Sequence, residues 1–174
     1  MSRCVRKFSS TEFSSRVKIE PSAARSLQAV VENDLRIIAE LNRKVVALTQ
    51  GPIDERDLAT VAYALHNIYN ALENCFDQIS RTFENHVVDT ARWHRELCAK
   101  MFLEIEQIRP AVFSSDVRPL LDEMLRFRHL FRHSYDFRID PERLQALCDQ
   151  WKGGRGEVIK QLEQFAGLLA RVAL

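Results

Sequence analysis

Apolar residues recur at three- and four-residue steps along most of the chain, the spacing that places them on one face of an α-helix. The first such stretch begins at Ser22 and is ended by Gly51-Pro52. Asp54 is the predicted N-cap of a second long helix, which runs to about Asn85. Two long helices joined by a short turn predict an antiparallel hairpin. The apolar positions of the first helix are Leu27, Val30, Val31, Leu35, Ile38, Leu41, Val45 and Leu48.

Three further helices are predicted downstream. The third runs from about Thr90 to Ile108 and ends at Arg109-Pro110, because the residue before proline avoids the α region. Ser115 is expected to cap the fourth helix, and Asp140-Pro141-Glu142 to start the fifth. The glycines of Gly153-Gly154-Arg155-Gly156 are expected to kink or break the fifth helix. The whole pattern predicts an all-α, up-and-down bundle of four to five helices.

The first 19 residues differ in character from the rest of the chain. They are rich in Ser and carry five Lys or Arg residues against the single acid Glu12. We interpret residues 1–19 as a basic, flexible tail or as the product of a start site assigned too far upstream. An RNA-binding arm and a mitochondrial presequence are the alternatives. Residues 20–174 are predicted to form a single helical domain, since this length is enough to bury a core.

Charge and cysteine content limit the classes of function. The chain has 25 Lys and Arg residues against 24 Asp and Glu residues, so any contact with nucleic acid should be local. The cysteines are scattered without a CxxC pair, and no signal-peptide segment is apparent, which favours a cytoplasmic protein with free thiols. No apolar run approaches the ~20 residues that span a bilayer. The cysteines are Cys4, Cys75, Cys98 and Cys148.

A dense cationic cluster lies at residues 126–135, where three Arg, two His and one Tyr occur within ten positions. On a helix, Arg128, Arg132 and Tyr135 share one face, and His129 and His133 share a neighbouring face. This predicts a polar edge near a helix C-terminus, where cations suit the helix dipole. Arginine binds phosphate and histidine transfers protons near neutral pH, so a phosphodiester is the candidate substrate.

Three interpretations of the cluster compete. It is a solvated helix end whose cations pair with nearby acids such as Asp122 and Glu123, or a metal site at His129-x-x-x-His133, or a metal-free centre for RNA cleavage. Flanking Arg residues would repel a metal ion, so we expect no metal and no cofactor. In the third case a His takes the proton of the 2′-hydroxyl, an Arg stabilises the pentavalent phosphate, and a second acid protonates the leaving oxygen. A twofold dimer would supply acid and base from different subunits.

Arg128-His129-x-x-x-His133-Ser134-Tyr135 resembles the Arg-x4-His-x-Tyr signature of HEPN-domain ribonucleases, in particular the HepT-like toxins. The resemblance covers about residues 25–174 and includes residues 64–70 and the pair Trp93-His94. It implies an all-α, HEPN-like domain that forms a homodimer and cleaves RNA. Arg128 and His133 would form the nuclease centre in a cleft between the two subunits.

Further roles are expected around this centre. His129 and Arg132 would support the nuclease residues, and Arg126 and Arg138 would contact the RNA backbone. The resemblance implies that Tyr135 is regulatory, because an MntA-like nucleotidyltransferase antitoxin transfers AMP to its hydroxyl. The negative charge and bulk of AMP would block the face that must receive RNA phosphate.

Two questions stay open on the sequence alone. The alternative function is a non-catalytic helical module whose Arg-rich face holds a nucleotide or the acidic surface of a partner. His66 and Asn67 lie in the apolar stripe of the second helix, where such groups are satisfied interior polar residues or else back the active-site cleft. Trp93-His94 is expected to serve packing and surface roles.

Overall fold

The five predicted helices are all present, and no β-strand occurs among the described residues. A computed structural model describes residues 19–84, 93–133 and 139–173, without the side chain of His133. The all-α prediction is therefore confirmed. The helices are α1 (Pro21–Leu48), α2 (Leu58–Glu84), α3 (Trp93–Lys100), α4 (Arg118–His133) and α5 (Pro141–Val172).

Helices α1 and α2 form the predicted antiparallel hairpin. The apolar stripe of α1 is buried at Leu27, Val31, Ile38 and Val45, or partly buried at its other positions, as its spacing predicts. A buried polar contact also joins the two helices, because the Asp34 carboxylate accepts hydrogen bonds from Asn74 Nδ2 (2.7 Å) and Cys75 Sγ (3.4 Å). The apolar core that results is shared by all five helices.

Helix α5 continues through its glycines as one helix, so a break at residues 153–156, one of the two outcomes predicted there, is wrong. A Cβ atom at Gly154 would lie 2.6 Å from Leu120 Cδ2, which shows that α5 passes very close to α4 there. Burial of the adjacent Trp151 also holds the helix in place, since its indole Nε1 donates to Asn42 Oδ1 of α1 at 3.0 Å. Packing on both sides offsets the poor helix propensity of glycine.

Helix α3 ends at Lys100, eight residues before the predicted end at Ile108. The buried guanidinium of Arg109 donates hydrogen bonds to the carbonyl oxygens of Lys100 (3.1 Å) and Leu103 (3.0 Å), and it pairs with Glu84 at 2.6 Å. These bonds satisfy carbonyl groups that a helix end leaves unpaired. The chain therefore turns at residues 101–109 and does not continue as a helix.

The predicted helix starts are correct for one helix and shifted for two. Asp140 caps α5, since its Oδ1 accepts from the backbone N–H groups of Glu142 (3.0 Å) and Arg143 (3.3 Å). Asp54 instead belongs to the turn before α2, which begins at Leu58. Ser115 is the first residue of a short 3-10 helix, Ser115–Val117, that leads directly into α4.

Two further predictions from the sequence concern membrane insertion and the N-terminal tail. In the described ranges, no helix is long and apolar enough to cross a membrane. The predicted basic tail at residues 1–19 lies outside the described residues except for its last position.

Candidate active site

Helix α2 carries a line of polar side chains on the face that meets α4. His66, Asn70 and Glu73 follow one another at steps of four and three residues, which aligns them on one side of a helix. The remaining faces of this part of α2 are largely buried in the core. The polar line is therefore held by one of the most firmly packed elements of the fold.

Arg128 of α4 lies against this line and is buried, with only 4% of its surface exposed. Its Nη2 is 2.7 Å from Glu73 Oε2, and its Nε donates to Asn70 Oδ1 at 3.0 Å. Arg128 therefore does not fit the first of the three interpretations of the cluster, a solvated helix end. The reason is the polar line on α2, which supplies the acceptors that a buried guanidinium needs.

Glu73 connects Arg128 to α3. Its Oε1 lies 2.7 Å from Nδ1 of His94, whose side chain is partly exposed. Burial raises the pKa of Glu73 to about 7, although the nearby Arg128 and Arg132 charges act in the opposite direction. A group with this pKa exchanges a proton close to neutral pH. Burial and the Arg132 charge also lower the pKa of Arg128, against the attraction of Glu73.

His66 lies on the other side of Asn70. Its Nε2 is 3.0 Å from Asn70 Nδ2, and its ring stacks at a tilt on Phe131 of α4 with the centroids 4.8 Å apart. Burial lowers the pKa of His66, and the Arg128 and Arg132 charges lower it further. The imidazole is therefore neutral near pH 7 and accepts the amide hydrogen bond through Nε2.

The other predicted site residues divide into three groups. Arg132 is exposed, yet it is near enough for its charge to act on both His66 and Glu73. Arg126 pairs with Glu123 at the surface, and His129 is also exposed on α4. His133 is the last residue of α4, and its side chain lies outside the description. Tyr135 and Arg138 lie outside the described residues.

Asn70, Glu73 and His94 had no assigned role in the sequence-based site. The sequence gives a weak indication of Asn70 and Glu73, because polar residues at positions 66, 70 and 73 recur with helical spacing inside an apolar helix. Their partner Arg128 lies more than fifty residues away, so local spacing gives no indication of the contact. The expectation that Trp93-His94 serves packing is correct for Trp93, which packs against the core, and incomplete for His94.

Chemically, the arrangement combines two cations with Glu73, whose pKa of about 7 lies near neutral pH. Arg128 is fixed by two partners, and Arg132 adds a second positive charge at the exposed side. This combination suits an oxyanion such as phosphate. Among the described residues, no group of three or more His, Cys, Asp or Glu side chains is placed to hold a metal ion.

Comparison with protein families assigns the chain directly. The model of a family described as HepT-like protein matches residues 60–169. The chain belongs to this HepT-like family. The match includes α4 and all but the first two residues of α2, so the Arg128–Glu73 contact lies inside the part that defines HepT-like chains. No curated protein and no solved structure gives a match.

Proposed function

We propose that this HepT-like protein is a metal-independent endoribonuclease, the toxin of a cytoplasmic toxin-antitoxin system. It forms a single domain over residues 20–174 and acts as a homodimer. Arg128 and His133 carry the reaction in the cleft between subunits, with His129 and Arg132 in support. The observation that carries the proposal is the placement of Arg128, which α2 holds by two hydrogen-bonded partners at a fixed position.

The fixed guanidinium supports a role in binding the reacting phosphate. Arg128 uses Nε for Asn70 and Nη2 for Glu73, and Nη1 makes no hydrogen bond to the described residues. In our proposal Nη1 donates to a non-bridging phosphate oxygen as negative charge develops there. Because the side chain is already ordered, the transition state gains this bond without a further cost in side-chain entropy.

The proton transfers fall to His133 and its copy in the second subunit. One His accepts the proton of the ribose 2′-hydroxyl as the hydroxyl oxygen attacks phosphorus. The other donates a proton to the departing 5′ oxygen, which gives a 2′,3′-cyclic phosphate and a free 5′-hydroxyl. Arg132, Arg126 and Arg138 are proposed to hold the neighbouring backbone phosphates.

In our proposal the activity is controlled through Tyr135, two positions after His133 in the sequence. An MntA-like nucleotidyltransferase would transfer AMP from ATP to the Tyr135 hydroxyl and release pyrophosphate. The added phosphate carries negative charge to the exposed cation Arg132 and competes with RNA there.

A second candidate function is favoured by one observation. The charge of Arg128 is compensated inside the subunit by Glu73, as in a purely structural ion pair. In this case the domain is a non-catalytic module that binds a nucleotide or an acidic partner through Arg132 and its exposed neighbours. The two candidates differ in one measurable property, which is RNA cleavage.

The test compares RNA cleavage by the wild type with that by Arg128→Ala, His133→Ala and the control Arg118→Ala. Arg118 is a half-exposed Arg at the opposite end of α4 and pairs only loosely with Asp122, at 3.9 Å. We expect Arg128→Ala and His133→Ala each to lower the rate at least a hundredfold, the scale of losing a proton-transfer or oxyanion group. Arg118→Ala should match the wild type. Equal cleavage by all four folded proteins would exclude the assigned centre.

Two further measurements test the dimer and the regulation. Mixed dimers of Arg128→Ala and His133→Ala subunits should recover part of the activity if each centre draws on both subunits. Intact mass after co-expression with the nucleotidyltransferase should increase by one or more AMP groups, and this increase should disappear in Tyr135→Phe. An unchanged mass in the wild type would contradict regulation by AMP.

A further inference from the structure

Tyr63 of α2 presents an aromatic ring to solvent. It is 61% exposed, whereas Tyr69 and Phe76 of the same helix are fully buried. A helix that packs its other aromatic rings inside gains nothing in stability from an exposed one. Exposed Tyr rings are common where a protein stacks on a ligand or a partner.

The position of Tyr63 relative to the site is fixed by helix geometry. Asn70 lies seven residues further along α2, which is within about 20° of two full turns and about 10.5 Å along the axis. Asn67 lies between them: its Nδ2 donates to the Tyr63 carbonyl (3.0 Å), and its Oδ1 accepts from Asn70 Nδ2 (3.3 Å). Tyr63 therefore lies on the same face of α2 as the residue that holds Arg128.

The direction of α4 places the helix end on the Tyr63 side of Arg128. Arg128 contacts Asn70 and Glu73, whereas Phe131 contacts His66, so α4 runs antiparallel to α2. Its last residue, His133, is reached by continuing in that direction. Tyr63 and the end of α4 are thus on the same side of the phosphate position at Arg128.

We propose that Tyr63 is a base-stacking position for the nucleotide next to the phosphate bound at Arg128. This rests on the proposed function, because it takes single-stranded RNA as the ligand. Asn70 and Tyr63 are separated by about 10.5 Å along the axis of α2, and in our proposal one nucleotide, bound through its phosphate at Arg128, bridges this separation. Stacking accepts any base, so the position adds affinity and register without reading the sequence.

The test measures binding of a short, fluorescein-labelled, single-stranded RNA in a His133→Ala background, where RNA stays intact. Tyr63→Ala should weaken binding at least about fivefold, the lower end of the effect of losing one base–aromatic stack. Tyr63→Phe keeps the ring and should bind as tightly as its parent. Leu103→Ala is the matched control, because Leu103 is 55% exposed and contacts the Arg109–Glu84 pair, about 30 Å along α2 from Tyr63.

A second readout separates stacking from a backbone contact. The measurement uses a series of RNAs, each with one abasic site at a different position. Binding to the parent protein, which keeps Tyr63, should be weakened most when the abasic site is at one particular position. At that position Tyr63→Ala should cause no additional loss. If the loss from Tyr63→Ala is the same for every abasic RNA, Tyr63 does not stack on a base.

Three outcomes would overturn the inference: equal binding by Tyr63→Ala and Leu103→Ala, equally weak binding by Tyr63→Phe and Tyr63→Ala, or dissociation of Tyr63→Ala dimers in sedimentation velocity. The last would show that the ring packs against a second copy of the chain. Failure of the proposed function is a separate result, since it appears as absence of RNA cleavage by the wild type. Ring-dependent RNA binding would stand even then.

Discussion

Replacement of Glu73 by Gln tests which force dominates at the buried ion pair. Glu73 is 5% exposed and lies between Arg128 and His94. Burial raises its pKa from 4.5 to about 7 despite the Arg128 and Arg132 charges. On this basis, the cost of removing the carboxylate from water exceeds the attraction of the two cations.

The magnitude follows from the link between pKa and folding. A pKa difference of one corresponds to about 1.4 kcal/mol, so a rise from 4.5 to about 7 corresponds to roughly 3 kcal/mol. Because the folded-state pKa is the higher one, this stability is fully present below pH 4.5 and is lost as the pH rises through about 7. Gln has nearly the shape of protonated Glu and cannot ionise, so Glu73→Gln should not show this loss.

The assay is urea unfolding of the wild type and Glu73→Gln at pH 5 and pH 8, followed by circular dichroism. We expect the two free energies of unfolding to agree within about 1 kcal/mol at pH 5, and the variant to be more stable by roughly 3 kcal/mol at pH 8. Glu123→Gln is the control, since it breaks the surface pair with Arg126 and should change stability by less than about 1 kcal/mol at either pH.

The opposite sign at pH 8 would refute this reasoning. If attraction to Arg128 dominates, Glu73→Gln leaves a buried guanidinium without its counter-charge. The variant would then be less stable than the wild type by about 3–5 kcal/mol at pH 8. Agreement between the two proteins at both values of pH would mean that the pKa of Glu73 is the same in the folded and the unfolded protein, which would also refute the reasoning.

Three other substitutions test the fold. Arg109→Met should lower the free energy of unfolding by about 3–5 kcal/mol, because it removes one of the two cations paired with Glu84 and leaves the carbonyl groups at the end of α3 without their donor. Urea unfolding measures the loss, and a change below about 1 kcal/mol would contradict the role of Arg109. Gly153→Ala, with open space around its Cβ position, should raise the stability by up to about 1 kcal/mol. Gly154→Ala should raise the stability less than Gly153→Ala or lower it, because the Leu120 side chain must rotate away from the new Cβ atom. A larger gain in stability at Gly154 than at Gly153 would show that α4 and α5 are not so close there.

The helices could be predicted from the sequence where one physical rule acts locally. The stripe from Leu27 to Val45 follows from helical periodicity, and the cap at Asp140 from the preference of an Asp side chain for unpaired N–H groups. The end of α3 could not be predicted in this way. It depends on Arg109, whose partner Glu84 is contributed by a different helix.

The candidate site shows the same division. The spacing from Arg128 to His133 is visible in the sequence, and so is its position at the end of a helix. Burial of Arg128 is not, because it requires Asn70 and Glu73 to meet it across α2 and α4. From the sequence alone a cluster of cations is expected to be exposed to solvent, because the acceptors that allow one of them to be buried belong to another helix.

The Asn70–Arg128 contact also determines when the site can form during synthesis. Its two residues are 58 positions apart, and ribosomes add about 5–20 residues per second, so α2 is made roughly 3–12 s before its partner. During that interval Glu73 and Asn70 have been synthesised, but the Arg128 guanidinium that they bind has not. Under the proposed function, a nascent or truncated chain that stops before Arg128 would leave cellular RNA intact, and only a finished and folded chain would cleave it.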